Sequence, residues 1–291
     1  MVIVITGPTC VGKTKASVEL AKLIDGEVIN ADSTQIFRKL DIATAKTTEE
    51  EKENIPHHLF DIKDIDEDYS VFDYQRDCRK IIDNIIKRGK TPILCGGTGL
   101  YIKACLYNYE FKEQSQKSDF SALSDLELFN KLKEIDADTE IHMNNRKRVE
   151  RALDYFNETG ELLGKIKSDE LLYDTIFIGL TTERNILYER INKRVDIMLS
   201  KGLLEEAKEV YDSNIRSKAV LTPIGYKELF PYFENKETFE NCIDLVKRNS
   251  RRYAKKQYTW FNNQLPIKWI NVNFDNFDET IMQIKKEINL I

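Results

Sequence analysis

Gly7-Pro8-Thr9-Cys10-Val11-Gly12-Lys13-Thr14 follows directly on the apolar run Val2-Ile3-Val4-Ile5 and precedes the amphipathic stretch from Ala16 to Ile24. The spacing G-x-x-x-x-G-K-[ST] between a buried-type strand and a helix is that of a phosphate-cradling loop. Its glycines let the backbone turn tightly, so that successive N–H groups converge beside a helix N-terminus and hold an anion. Lys13 brings a point charge to a di- or triphosphate, and Thr14 a hydroxyl suited to Mg²⁺. The loop specifies a phosphate chain; it leaves open whether that chain belongs to a nucleotide.

Two further sets of residues stand where strands end. Glu27-Val28-Ile29-Asn30 leads into Ala31-Asp32-Ser33, and Pro92-Ile93-Leu94-Cys95 leads into Gly96-Gly97-Thr98-Gly99. A carboxylate at Asp32 can take a proton or hydrogen bond from an incoming nucleophile. Ser33, Thr34 and Gln35 add polar contacts beside it, and Thr98 is a candidate substrate contact. A helix with the capping-box start Ser70-x-x-Asp73 separates the two strands and ends at Gly89. Strand–helix–strand order implies a parallel sheet, whose ligands bind beyond the carboxyl ends of the strands. Asp32, Thr98 and the phosphate loop are therefore expected in one crevice.

Cations cluster twice in an otherwise acidic chain. From Lys247 to Phe261, Arg248, Arg251, Arg252 and Lys255 recur at i, i+3, i+4 and i+7, a positive stripe for clamping phosphate or meeting RNA backbone. Tyr253, Trp260 and Phe261 are expected to anchor the other face in the core. Arg146-Lys147-Arg148 and Arg151 alternate with Val149, Leu153 and Phe156, as on an amphipathic helix. The adjacent His57 and His58 point opposite ways in extended chain, make a poor metal site and read as structural.

The elements that position these groups amount to an α/β protein of 291 residues, with a sheet interrupted once. Residues 1–108 read as the first part of a P-loop core, 109–172 as a helical insertion and 173–291 as the rest of the core. Within the insertion Lys112 to Lys117 reads as loop, and helices are expected from Ser124 to Ile135 and from about Asn145 to Glu158, closed by Gly160. The sheet resumes at Thr175–Leu180. Helices over Ile186–Ser200, Leu203–Tyr211 and about Thr238–Phe261 follow, then a last strand over Ile267–Val272 and a last helix over Glu279–Leu290. Charged residues make up 32% and the net charge is −5, which argues against indiscriminate nucleic-acid binding. No apolar run approaches the roughly 20 residues needed to span a bilayer. A core strand at the very start fits no signal peptide. Five scattered cysteines without a C-x-x-C pair suggest neither a zinc site nor a disulfide framework, so a reducing cytoplasm is expected.

In order along nearly the whole chain, several stretches resemble the tRNA dimethylallyltransferase (isopentenyltransferase) family. They are the loop 7–14, Ala31-Asp32-Ser33-Thr34-Gln35, Asp41-Ile42-Ala43-Thr44-Ala45-Lys46, His57-His58-Leu59-Phe60-Asp61-Ile62, Gly96-Gly97-Thr98-Gly99-Leu100-Tyr101, Ile224-Gly225-Tyr226-Lys227-Glu228 and Arg251 to Trp260. The insertion departs from the family at His142-Met143-Asn144-Asn145, where a proline and an acidic residue are usual before the arginine. The appended zinc finger of some eukaryotic members is absent, as in bacterial-type enzymes. The resemblance implies prenyl transfer from dimethylallyl diphosphate to N6 of adenosine 37 in the tRNA anticodon stem-loop, with Mg²⁺ on Thr14; a monomer is the default expectation. It implies that Gly7 to Thr14 hold the diphosphate, that Asp32, Thr98 and Arg251 act in catalysis, and that Asp32–Gln35, Thr98, Arg148 and Arg151 contact RNA. A P-loop small-molecule kinase needs the same cradle and carboxylate, and residue chemistry alone does not separate the two.

Overall fold

The computed structural model describes residues 1–108, 118–162 and 170–290. The chain forms two compact units, Met1–Tyr107 with Leu171–Ile291, and Asn108–Glu170. The larger unit is built on six parallel strands: β1 (Val2–Thr6), β2 (Gly26–Asn30), β3 (His57–His58), β4 (Thr91–Cys95), β5 (Thr175–Thr181) and β6 (Lys268–Asn271). Their order across the sheet is β3-β2-β4-β1-β5-β6. All residues of β1 are buried, because a central parallel strand is covered on both faces. Alternate side chains go to opposite sides. Val2 and Val4 join Ile29, Leu94 and Phe177 on one face, while Ile3 and Ile5 join Val28, Ile93 and Ile178 on the other. The chain leaves β1 toward β2 on one side and later adds β5 on the other, so the ligand-binding switch point falls at the end of β1.

Helices cover both faces. Lys13–Ile24 packs Ala16 and Leu20 onto the second face, with Ile281 and Ile284 of the Phe277–Glu287 helix. The first face takes Tyr74, Cys78, Ile82 and Ile85 from Val71–Lys87 and Cys242, Val246 and Phe261 from Phe239–Gln264. Ser70 and Asp73 do form a capping box, and Thr238 caps the 26-residue helix through Asn241 N–H. Strand β3 escaped the pattern reading, because two residues cannot display a period of two.

On β2, next to the edge strand β3, Glu27, 2% exposed, binds Arg88 Nη2 at 2.8 Å and His58 Nε2 at 2.8 Å. The Arg88 hydrogen bonds, opposed by burial and helped by His58, hold its carboxyl down to about 2 from an ordinary 4.5. A depressed carboxylate stabilises the fold above its unfolded pKa and loses that contribution as pH falls through the folded one. Glu27→Gln is expected to cost about 3 kcal/mol in urea unfolding at neutral pH, a deficit that closes as pH drops from 4.5 toward 2.

The smaller unit contains the helices Asp125–Ile135 and Arg146–Thr159, the first capped by a Ser124–Glu127 box and the second ended by Gly160. Leu128, Leu132, Val149, Ala152 and Leu153 form its core. Arg146 is tied inward, to Asp125 at 2.8 Å, Glu150 at 2.7 Å and the carbonyls of Phe120 and Leu123. Lys147, Arg148 and Arg151 are exposed. The stretch Lys112 to Lys117, expected as loop, lies outside the described residues.

Candidate active site

Beyond the end of β1 the chain turns through Gly7 at φ 132°, where a Cβ would stand 2.3 Å from the Leu180 carbonyl oxygen of β5. Only glycine lets the loop leave the sheet there. Gly12 caps the Lys13–Ile24 helix, and Lys13 Nζ donates to the Pro8 carbonyl at 2.7 Å, folding the side chain back over the loop. Burial lowers the pKa of Lys13; the nearby Cys95 and Asp32 oppose that shift and Arg194 adds to it. A bound phosphate would restore the charge that burial disfavours.

Asp32 stands at the end of β2 in a fixed pose. Its N–H donates to Asn30 Oδ1 at 2.8 Å, and its Oδ1 accepts from Thr34 N–H at 3.0 Å and Thr34 hydroxyl at 2.7 Å. Oδ2 has no hydrogen-bond partner among the described residues, and Asp32 lines a cavity of about 580 Å³ together with Lys13, Thr14, Ser33, Thr34 and Gln35. The expected meeting of phosphate loop and carboxylate in one crevice is therefore found. Thr98 is placed differently from expectation. It is absent from the cavity lining; its Oγ1 accepts Ser33 N–H at 3.0 Å and donates to Ser33 Oγ at 3.2 Å, and its own N–H goes to Ala31 O at 3.0 Å. It braces the Asp32–Ser33 ledge from behind.

Residues 41–47 form another part of the wall, and their shape is imposed from outside. Glu206, on the Leu203–Asp212 helix, accepts the N–H groups of Asp41, Ile42 and Ala43 at 2.8–3.0 Å and the Tyr226 hydroxyl at 2.7 Å. Gln35 Nε2 donates to the carbonyls of Thr44 and Ala45, and the buried Lys46 bridges Asp41 at 2.6 Å and Asp61 at 2.5 Å. In the Ile224–Glu228 motif Ile224 lines the cavity, while Glu228 is structural, binding Gly225 N–H and Asn249.

Arg251, expected at the diphosphate, does not reach the cavity. It donates to Asn192 Oδ1 at 2.5 Å and lies 6.0 Å from the Tyr188 ring. The reason is helical phase: Val246, Ser250, Tyr253 and Gln257 face the cavity, and each residue turns the helix by about 100°. Arg248, Arg252 and Lys255 are exposed, as the positive stripe requires. Phe261 is buried and Trp260 packs on the core, but Tyr253 is 38% exposed and faces the cavity. On the Arg184–Ser200 helix two arginines reach the loop: Arg194, which lines the cavity and whose Nη1 donates to Thr9 Oγ1 at 2.9 Å, and Arg190, whose Nε donates to the Cys10 carbonyl at 3.0 Å from outside the lining. Sequence reasoning missed Arg194 because one arginine in a charged helix reads as a solvated face. The available signal was its phase: Arg194 shares a face with Ile191, Val195 and Met198, all in the cavity wall. The two histidines lie in β3, with His57 Nδ1 2.8 Å from the Ile55 carbonyl and His58 on Glu27.

Comparison with known proteins agrees with this site. A relative from Anoxybacillus flavithermus, named tRNA dimethylallyltransferase, is 46% identical over 97% of this chain and 92% of its own. The tRNA isopentenylpyrophosphate transferase structure from Bacillus halodurans superposes with a TM-score of 0.78 at 43% identity, covering 99% of this chain and 95% of that one. A eukaryotic dimethylallyltransferase caught acting on tRNA superposes at 0.85 with 32% identity, over 97% of this chain and 77% of that one. Residues 35–264 of this chain match the IPP transferase family, and on that match and these identities the chain belongs to the IPP transferase family.

Proposed function

We propose that this protein transfers the dimethylallyl group of dimethylallyl diphosphate to the exocyclic N6 of adenosine 37, next to the anticodon of tRNA, and releases diphosphate. The observation that carries the reading is the shared cavity, in which the phosphate loop and Asp32 meet a wall containing Ile42, Ala43, Val195, Met198, Ile224 and Val246. Those apolar side chains suit a five-carbon chain. Family members named for dimethylallyl transfer to tRNA support the same conclusion.

In the transfer the allylic C–O bond breaks and its electron pair leaves with the diphosphate. An N6–C bond forms, and the N6 proton passes to Asp32 Oδ2. Adenine N6 is a weak nucleophile, because its lone pair is delocalised into the ring, so a hydrogen bond that orients it counts for much. Thr34 holds Oδ1 and thereby aims Oδ2. Lys13, Arg194 and the loop amides stabilise the charge growing on the leaving group, a larger effect in a pocket that excludes water. Thr14 would hold Mg²⁺, since a hydroxyl completed by phosphate oxygens and water is a hard-oxygen set of the kind this ion takes. Bound there, the ion adds positive charge beside the departing diphosphate.

The acceptor base must be everted from the anticodon loop to enter the cavity. Ser33, Thr34 and Gln35 meet it, Thr98 acts through Ser33, and Arg148, Arg151 and the Arg248–Lys255 stripe bind RNA backbone. We place the enzyme as a monomer in the cytoplasm, in keeping with its five free cysteines. No helix among the described residues is long and apolar enough to cross a membrane. The test is a nucleoside digest of unmodified tRNA incubated with the protein and either dimethylallyl diphosphate or labelled ATP. A prenylated adenosine with the first donor is the expected product; phosphoryl transfer without prenylation would establish the kinase instead.

A further inference from the structure

We propose that Gln257 is a positioning residue that ties the phosphate loop to the turn beneath Asp32, so that donor and acceptor are held in one mutual geometry. The inference rests on the prenyl-transfer reading and adds to it a group that touches neither reacting atom.

Gln257 lies on the Phe239–Gln264 helix, in the cavity wall, and is 5% exposed. Its Oε1 accepts Thr9 N–H at 3.0 Å, and its Nε2 donates to the Gly97 carbonyl at 3.1 Å. Three distant segments thus meet on one carboxamide. From Gly97 the link continues through Thr98 N–H to Ala31 O, at 3.0 Å, and so to the strand end that carries Asp32. Gly97 is the residue that admits it: a Cβ there would stand 2.3 Å from Nε2, and 3.7 Å from Asp32 Oδ2. On the same helix Trp260 packs against Gly99, and the Tyr253 hydroxyl stands beside Thr98 and Gln257. At the other end of the link Thr9 is also held by Arg194, which fixes the loop tip from its side chain as Gln257 does from its backbone.

Glutamine suits this place for a definite reason. A carboxamide donates and accepts at once and adds no charge among Lys13, Arg194 and Asp32. Glutamate keeps the acceptor for Thr9 but cannot, as a carboxylate, donate to Gly97. Methionine has nearly the same reach and can do neither. With methionine the half-buried Thr9 N–H and the buried Gly97 O both lose their partner, and with glutamate the Gly97 O does, so each half of the site relaxes toward its own optimum.

The experiment uses the full chain as wild type, Gln257→Met and Gln257→Glu. Binding of inorganic pyrophosphate and of unmodified tRNA is measured separately, and transfer is measured in single turnover from the preformed complex with dimethylallyl diphosphate. Gln257→Met is expected to bind each ligand within about threefold of wild type while the transfer step slows about a hundredfold, the cost of a misaligned pair; Gln257→Glu, whose added charge also weakens pyrophosphate, is compared at saturating ligand and is expected to slow transfer as much. Amide exchange supplies a readout independent of transfer. Pyrophosphate should protect the amides of residues 9–14 and 96–99 in wild type, and only those of 9–14 in the variants. The isosteric Gln257→Glu decides the matter if Gln257→Met does not fold. Transfer at the wild-type rate overturns the proposal. So does protection that still spreads to 96–99, or a loss of melting temperature with binding and rate falling together. If wild type transfers no prenyl group, the functional reading fails on its own, and the exchange result still decides the link.

Discussion

Asp32→Asn is expected to slow prenyl transfer from the preformed complex by about a thousandfold or more, with tRNA and diphosphate binding largely kept. Asparagine retains the shape and the Oδ1 acceptor for Thr34, so the ledge should stay in place. What changes is the atom facing the amine. An N–H replaces the Oδ2 acceptor, so two donors confront each other and the N6 proton has nowhere to go. Asp32→Ala removes the Thr34 bonds as well and should add a binding defect, which makes the asparagine variant the cleaner probe. Rapid-quench single turnover with saturating substrates measures the effect. A loss of less than about tenfold would mean that another group takes the proton.

Arg194→Ala should cost about a hundred- to a thousandfold in the same step, the range for removing one donor to a developing anion. It should also weaken pyrophosphate binding, because the phosphate loop loses both a positive charge and the hydrogen bond that steadies Thr9. Arg194→Lys should recover little, since an ammonium cannot hold Thr9 and a phosphate oxygen with one planar fork. Arg251→Ala is the internal control. Its guanidinium is engaged by Asn192 outside the cavity lining, so its removal should change the transfer step by less than about threefold. The reverse ranking of the two variants, measured by rate and pyrophosphate affinity together, would return the role to Arg251.

These contrasts show where local pattern carries information and where it stops. The loop 7–14, the capping boxes at Ser70 and Ser124 and the glycine stop at Gly160 were legible because each is a short-range device whose chemistry is complete within a few residues. The convergence of Asp32 with the loop was legible too, since parallel topology sends every strand's carboxyl end to the same rim. Thr98 was located on that rim correctly in sequence, but whether its hydroxyl faced a substrate or Ser33 depended on backbone torsions that no spacing encodes.

By itself the amino-acid sequence determined a parallel α/β core with a glycine-rich loop of the phosphate-binding pattern after its first strand, a carboxylate at the rim, a helical insertion and a family resemblance spread over nearly the whole chain. Only the tertiary structure decided which cation reaches the cradle, that Glu206 shapes the 41–43 wall, and that Gln257 spans Thr9 and Gly97. The physical reason is the same in each case. A helix carries its polar side chains around the full circle, and which of them meets a site is set by tertiary packing with segments far away in sequence, as Glu206 meets residues 41–43 and Gln257 meets Thr9 and Gly97.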